Sequence, residues 1–301
     1  MAKANKNLIS MEDVSRAEIE RLINRANELR EERVAKHALP PFILGLLFFQ
    51  ESTRTQIGFQ TATYRLGGNV FTLKETRFTE VMSSPECIED TMRVLNSYAD
   101  IFCIRHPDSN IFSKLQPYTQ KPLINCGNGS YEHPTQALID LMAIKNIVGR
   151  LDNLHISIVG NLRDMRSAHS LLMGLANFKN ITVSLVSPRE LQIPKQYVEF
   201  FEKKNHKNII LRSENMDIKN ADVVYVAGFP SKSPPVSAGV RKKYRVGKKI
   251  LTSLKSKTII LNPLPREDEI SRDVDETKFA KYFEQSELGL YMRMAIIQEY
   301  L

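Results

Sequence analysis

The sequence contains no tryptophan, only three cysteines and no apolar run of membrane-spanning length. Each scarcity removes a class of protein. Cys87, Cys103 and Cys126 are odd in number and form no CxxC pair, so neither a disulfide framework nor a zinc site is expected; a reducing, cytoplasmic setting fits best. Without a long apolar stretch no spanning helix is expected. The opening residues, MAKANKNLISMEDVSRAEIE, lack the apolar core of a signal peptide, so no membrane partner is expected either. Acidic residues are also short: 34 Asp and Glu stand against 42 Lys and Arg, for a formal net charge of +8. The densest basic run, RKKYRVGKK at Arg241–Lys249, carries no acidic residue. Such a run can grip a nucleic-acid backbone, but more often it is a solvated helix or loop face. No recognition motif accompanies it, so no nucleic-acid partner is expected, and the basic balance suits an enzyme that draws small anions into a cleft.

What is present is a chain of 301 residues, 42% hydrophobic and 25% charged, ample for two globular domains. PFILGLLFF, ADIFCIR and KPLINCG read as buried strands, and HPTQALIDLMAIKNIVG as a helix with Pro134 in its first turn. A fresh series begins at NLHISIVGN and continues through ITVSLVSP, NIILR, ADVVYVAG and TIILNPLP. Helical patterning appears between these runs, in MRSAHSLLMGLANF and PKQYVEFFEKKN. The alternation predicts an α/β fold of two domains, each a parallel sheet flanked by helices. The expected division is residues 1–149, residues 150–285, and a C-terminal helix over 286–301 that packs back on the first domain.

Polar groups gather where these strands end, which is where open α/β sheets bind ligands. After the first apolar run comes Ser52-Thr53-Arg54-Thr55, and then Ile57, Phe59, Ala62 and Leu66 at helical spacing. Hydroxyls, a guanidinium and unpaired N–H groups at a helix start make an anion site. The same residue types also serve as plain N-caps. Arg105 and His106 fall just past the third strand, His133 and Gln136 at a helix start, and Pro263-Leu264-Pro265 at the end of the last strand. A histidine beside a helix-starting proline can be a cap and nothing more.

STRT, RHP, HPTQALIDL, GNLRDMRSAHSL and PLPREDEI…VD…YF…GLYMRMA together resemble the catalytic chains of the aspartate/ornithine carbamoyltransferase family, almost end to end. The Pro-Leu-Pro-Arg turn resembles the aspartate branch. The resemblance implies two α/β domains with the active site in the cleft between them, and a homotrimer. Its partners would be carbamoyl phosphate and an amine acceptor, with no metal or cofactor. By that mapping Ser52, Thr53, Arg54, Thr55 and Arg105 hold the phosphate. Thr55, Arg105 and His133 bond the carbamoyl oxygen, and Gln136 faces the carbamoyl amide. Arg166 would hold an acceptor carboxylate, and the carbonyls of Pro263 and Leu264 orient the amine. The catalytic set is then Arg54, Thr55, Arg105, His133 and Gln136.

The same mapping exposes departures on the acceptor side. Ser84-Pro85-Glu86 stands where the family carries Lys-Gly-Glu, Gly228 and Pro230 where it carries an acceptor-binding arginine and glutamine, Gln50 in place of a glutamate, and Asn262 in place of a histidine. The donor positions all match, and this asymmetry favours an active carbamoyltransferase with a changed acceptor, to which Glu86 or Asp164 would draw a cation. The alternatives are an ordinary aspartate enzyme in which Lys74, Arg77, Lys232 or the 241–249 run supplies the missing charge, and a non-catalytic carbamoyl-phosphate-binding subunit.

Overall fold

The computed structural model describes residues 6–31, 38–74, 87–204, 207–229 and 236–301. The chain forms two compact units, Met1–Thr135 with Gly289–Leu301, and Gln136–Leu288. Each is built on a wholly parallel sheet flanked by helices, the α/β class that the alternating pattern implies.

In unit 1, helix α1 (Arg16–Glu31) precedes strand β1 (Ile43–Phe48), helix α2 (Thr53–Arg65) and strand β2 (Asn69–Leu73). Helix α3 (Ile88–Leu95), strand β3 (Ile101–His106), short helix α4 (Ile111–Leu115) and strand β4 (Leu123–Asn128) follow. The sheet order is β2-β1-β3-β4. β1, β3 and β4 run almost wholly buried, as central parallel strands do, whereas β2 is an edge strand and only half-buried. Leu47, Phe102, Ile104 and Leu123 pack together on one face with Phe112 and Leu115 of α4. On α2 the buried residues are Thr55, Phe59, Ala62 and Thr63, and the capping Leu66 is buried with them. Ile57, read from the sequence as part of that stripe, is 54% exposed, because two residues of helix turn it about 200° from Phe59.

Helix α5 (Pro134–Val148) opens with its proline at the first helical position and carries the chain into unit 2. There β5 (His155–Gly160), α6 (Arg166–Leu175), β6 (Thr182–Val186), α7 (Lys195–Lys204) and β7 (Ile209–Ser213) alternate. After them come β8 (Val223–Gly228), the short helices α8 (Ala238–Lys243) and α9 (Lys248–Leu251), and β9 (Ile259–Leu261). The order is β7-β6-β5-β8-β9. Helix α10 (Tyr282–Tyr300) begins in unit 2, and its residues from Gly289 onward belong to unit 1. There the Tyr300 hydroxyl donates to Glu18 at 2.6 Å, and Lys6 pairs with Glu18 and Glu299. In unit 2 the buried Arg266 side chain forms a forked ion pair with Asp275, which the Tyr282 hydroxyl joins. Among the described residues no helix is long and apolar enough to cross a membrane.

In both sheets the strand order reverses once, between β1 and β3 in unit 1 and between β5 and β8 in unit 2. The carboxyl ends of those pairs are the crevices that open α/β sheets offer to ligands.

Candidate active site

Unit 1 gathers positive charge at its reversal point. β1 ends at Phe48 and α2 begins at Thr53, so Ser52 is the capping residue. Its backbone is extended, as an N-cap requires, yet its side chain accepts no hydrogen bond from the helix. Plain capping therefore does not account for the Ser-Thr-Arg-Thr run, and the leading N–H groups of a 13-residue helix are not taken by the cap side chain. Thr55 is buried, while Thr53 and Arg54 are open.

Arg105 pairs in register with Phe48 and brings a second guanidinium to this edge. With His106 it forms the last two residues of β3, inside the strand instead of just past it. Its Nη1 donates to the Cys126 carbonyl at 3.3 Å, and its Nε is buried without a partner. Arg293, from the unit 1 part of α10, is a third cation here. It is 7% exposed, and its Nε is likewise buried and unpartnered. It lies against α2: a Cβ at Gly58 would come within 2.7 Å of its Nη1.

Burial lowers the pKa of Arg105 to about 10, with the charge of Arg54 pressing the same way. Arg293 is lowered to about 10 by the same two influences, and Arg54, although open to solvent, is lowered by partial loss of water around its guanidinium. All three remain protonated at neutral pH. Among the described residues none of them has a carboxylate partner. Cations crowded together without a counter-charge are relieved by an anion, and guanidiniums fit the oxygens of a phosphate.

His133 stands at the end of a turn fixed from within. Asn125 Nδ2 donates to Asn128 Oδ1 at 2.9 Å, and the same oxygen accepts from Glu132 N at 3.2 Å. The wholly buried Glu132 accepts from Ser10 Oγ at 2.5 Å and from Met11 N at 2.9 Å. His133 itself is buried, with Nδ1 3.2 Å from Thr135 Oγ1.

In unit 2, Gln136 and the Pro263-Leu264 turn are joined by a hydrogen-bonded array. Gln136 Nε2 donates to Asp140 Oδ1 at 2.7 Å, and Gln285 Nε2 donates to the same oxygen at 2.6 Å. Gln285 Oε1 accepts from Asn262 N at 3.0 Å. Asn262 Nδ2 donates to the Val226 carbonyl at 2.9 Å and to Glu269 Oε1 at 3.0 Å. Asn262 Oδ1 accepts from Leu264 N at 2.7 Å, which holds the Pro263-Leu264 turn. Leu264 has φ of +45°, and the peptide bond to Pro265 is cis. Arg166 is the first residue of α6 and half-buried.

Gly228 ends β8 with φ of +76°, and a Cβ there would lie 2.8 Å from Glu269 Cδ. Gly160, which ends β5, is closer still to its neighbour: its Cβ would meet the Gly228 carbonyl oxygen at 2.5 Å. Glu269 is 5% exposed, and burial raises its carboxyl pKa, with Glu267 pushing the same way. Among the described residues no cation pairs with it.

Asp164, expected to draw a cationic ligand, already has one. Arg163 Nε and Nη2 donate to its two oxygens at 3.1 and 3.0 Å, and Asn161 Nδ2 donates at 2.9 Å. Arg241 of the basic run is likewise offset, by Glu267 at 3.5 Å and Asp268 at 3.3 Å. Lys74 is exposed just past β2. Arg77, Ser84, Pro85, Glu86, Pro230 and Lys232 lie outside the described residues. Sequence reasoning did not single out Arg293, Asp140, Gln285 or Glu269. The available signal was a charge inside an apolar helical stretch, Arg293 in YMRMAII and Asp140 in ALIDLMA.

Known proteins share this arrangement of chain. The family model for "Aspartate/ornithine carbamoyltransferase, carbamoyl-P binding domain" matches residues 6–146, and that for the family's "Asp/Orn binding domain" matches residues 152–299. The chain is 38% identical over 302 residues to the aspartate carbamoyltransferase catalytic subunit of Methanocaldococcus jannaschii, covering 98% of this chain and 97% of that one. A crystal form of the M. jannaschii catalytic subunit of aspartate transcarbamoylase superposes with a TM-score of 0.89 at 37% identity, covering 98% and 97%. The Trypanosoma cruzi aspartate transcarbamoylase in complex with carbamoyl phosphate gives 0.92 at 33% identity, covering 99% and 96%.

Proposed function

The chain belongs to the aspartate/ornithine carbamoyltransferase family, and from that premise we propose that it moves the carbamoyl group of carbamoyl phosphate to the amine of an amino-acid acceptor. The observation that carries this reading is the trio Arg54, Arg105 and Arg293, cationic, crowded and, among the described residues, without carboxylate partners. Ser52, Thr53, Arg54, Thr55 and Arg105 hold the phosphate. Thr55, Arg105 and His133 face the carbamoyl oxygen, and Gln136 the carbamoyl amide. A neutral amine attacks the carbamoyl carbon, negative charge grows on the oxygen, and fixed donors meet it, each worth about 3 kcal/mol when well placed. The C–O bond to phosphate then breaks, and the departing phosphate takes the amine proton. Arg166 holds the acceptor's α-carboxylate while the carbonyls of Pro263 and Leu264 receive the amine.

Aspartate is the acceptor that the relatives favour, since those at 38% and 37% identity carry aspartate carbamoyltransferase names. Incubation with carbamoyl phosphate and aspartate is expected to give N-carbamoyl-aspartate; absence of any ureido product with aspartate or with a panel of other amines would overturn the transferase reading. A second acceptor reading rests on one feature of unit 2. Gly228 leaves no side chain at the end of β8, and the group it faces is the buried carboxyl of Glu269. A side-chain carboxylate entering there would lose water and meet like charge. A neutral or cationic acceptor would not, and turnover of such an amine with aspartate inert would select this reading. The assembly we propose is a homotrimer, and light scattering that returns a monomer at micromolar concentration would refute it.

A further inference from the structure

Asp140 is wholly buried one helical turn beyond Gln136, and among the described residues no cation accompanies it. Its Oδ1 accepts from the amides of both Gln136 and Gln285. Its Oδ2 makes no hydrogen bond, and neither do the buried hydroxyls of Tyr225 and Ser167. Tyr225 neighbours both Asp140 and Ser167 without closing a well-formed bond to either. Burying a carboxyl group in this way is expensive, and a clamp between two helices would be served as well by a neutral pair. What this carboxyl group supplies and a neutral amide does not is an Oδ1 with no N–H alternative: it accepts whether the group is ionised or carries its proton on Oδ2, so an amide against it must present its NH2.

We propose that Asp140 is a positioning residue for Gln136, accepting from Nε2 so that Oε1 is left facing away to receive an N–H of the carbamoyl group. Gln136 is half-buried and makes no other hydrogen bond among the described residues, so Oε1 is its free end. The ligand's chemistry requires this orientation. A carbamoyl group presents one oxygen, which needs a donor, and one NH2, which needs an acceptor. With Asp140 absent the Gln136 amide can turn over, setting NH2 against NH2. The inference rests on carbamoyl phosphate as the donor and is independent of which acceptor follows.

The test compares the affinities of carbamoyl phosphate and inorganic phosphate by calorimetry on the full chain. Asp140→Ala is expected to weaken carbamoyl phosphate about tenfold, to the level of Gln136→Ala, and to leave inorganic phosphate within twofold. Asp140→Asn can turn either its oxygen or its NH2 toward the glutamines, so it is expected to recover part of the affinity and to fall between wild type and Asp140→Ala. The Asp140→Ala/Gln136→Ala double variant should bind no worse than Gln136→Ala alone. Should the alanine variant not fold, Asp140→Leu keeps the bulk, removes the acceptor and gives the same readout. Wild-type carbamoyl phosphate affinity in the alanine or leucine variant, equal weakening of both ligands, or additive losses in the double variant would overturn the proposal. A wild-type protein that binds phosphate and not carbamoyl phosphate would overturn the donor reading itself, and this inference with it.

Discussion

At the carboxyl edge of the unit 1 sheet, three guanidiniums crowd together and no carboxylate among the described residues answers them; in unit 2, the carboxyls of Asp140 and Glu269 are buried and no described cation answers them. The two sheets share one topology, a parallel order reversing once. Topology therefore decides where a ligand can sit, and the side chains at the reversal decide which charge it may carry. Unit 1 is built for an anion. Unit 2 is built to accept hydrogen bonds, and its charge is held behind amides.

The contrast is sharpest in how the two edges respond to pH. Burial raises the Asp140 carboxyl pKa to about 7, while hydrogen bonds from Gln136 and Gln285 oppose the rise. The folded protein then holds a proton that the unfolded chain releases near pH 4. The stabilisation is fully present below pH 4 and is lost as pH rises through 7, an effect of up to roughly 4 kcal/mol. Asp140→Asn stays neutral throughout, so its stability relative to wild type is expected to increase from pH 4 to pH 8. Denaturant melts showing a constant difference across that range would remove Asp140 from the comparison.

For unit 1 the counterpart is Arg105→Met, which keeps the stem and deletes the charge. Phosphate and carbamoyl phosphate should bind about 100-fold more weakly, a loss of roughly 3 kcal/mol. The ligand-free protein should melt no lower than wild type, because a repelling, desolvated cation has gone. A variant that melts markedly lower without ligand and binds phosphate normally would show the guanidinium to be structural.

Gly228→Ala tests the close approach in unit 2. A Cβ at positive φ and 2.8 Å from the Glu269 carboxyl carbon should cost about 2 kcal/mol of stability, read as a shifted denaturation midpoint. The smallest effect is expected from Glu269→Gln. If acceptor side chains approach Glu269, removing its charge should lower KM for aspartate about threefold, under 1 kcal/mol. An unchanged KM would mean that the acceptor lies elsewhere.

Much of the scaffold could be read because buried parallel strands are continuous apolar runs, as in ILGLLF of β1 and VVYVAG of β8. β2 was not among the strands named from the sequence, because NVFTL is a half-buried edge strand that mixes polar with apolar residues. The Ser52–Thr55 run was legible because a strand end, a cap and a helix start are local. The partners of Asp140 were not, since Gln285 lies 145 residues away and nothing in either neighbourhood announces the meeting. Asp164 was misread for the opposite reason. Its partner Arg163 is the adjacent residue, and spacing alone does not say that two neighbouring side chains turn toward each other.

The array from Leu264 through Asn262 and Gln285 to Asp140 and Gln136 also has a sense of direction. It ends on Asp140 at one side and Glu269 at the other, both accepting hydrogen bonds from side-chain amides. Turning over Gln285 would set its carbonyl against Asp140 and its NH2 against Asn262 N–H. Turning over Asn262 would set its NH2 against Leu264 N–H and its carbonyl against Glu269. Either reversal breaks bonds at both of its ends, at about 1–3 kcal/mol for each buried group left unpaired. The amides are therefore frozen in one orientation when the chain folds, before any ligand arrives. The rotational entropy that a looser pocket would surrender on binding has already been given up in folding, and the first molecule to enter finds a surface that does not have to choose.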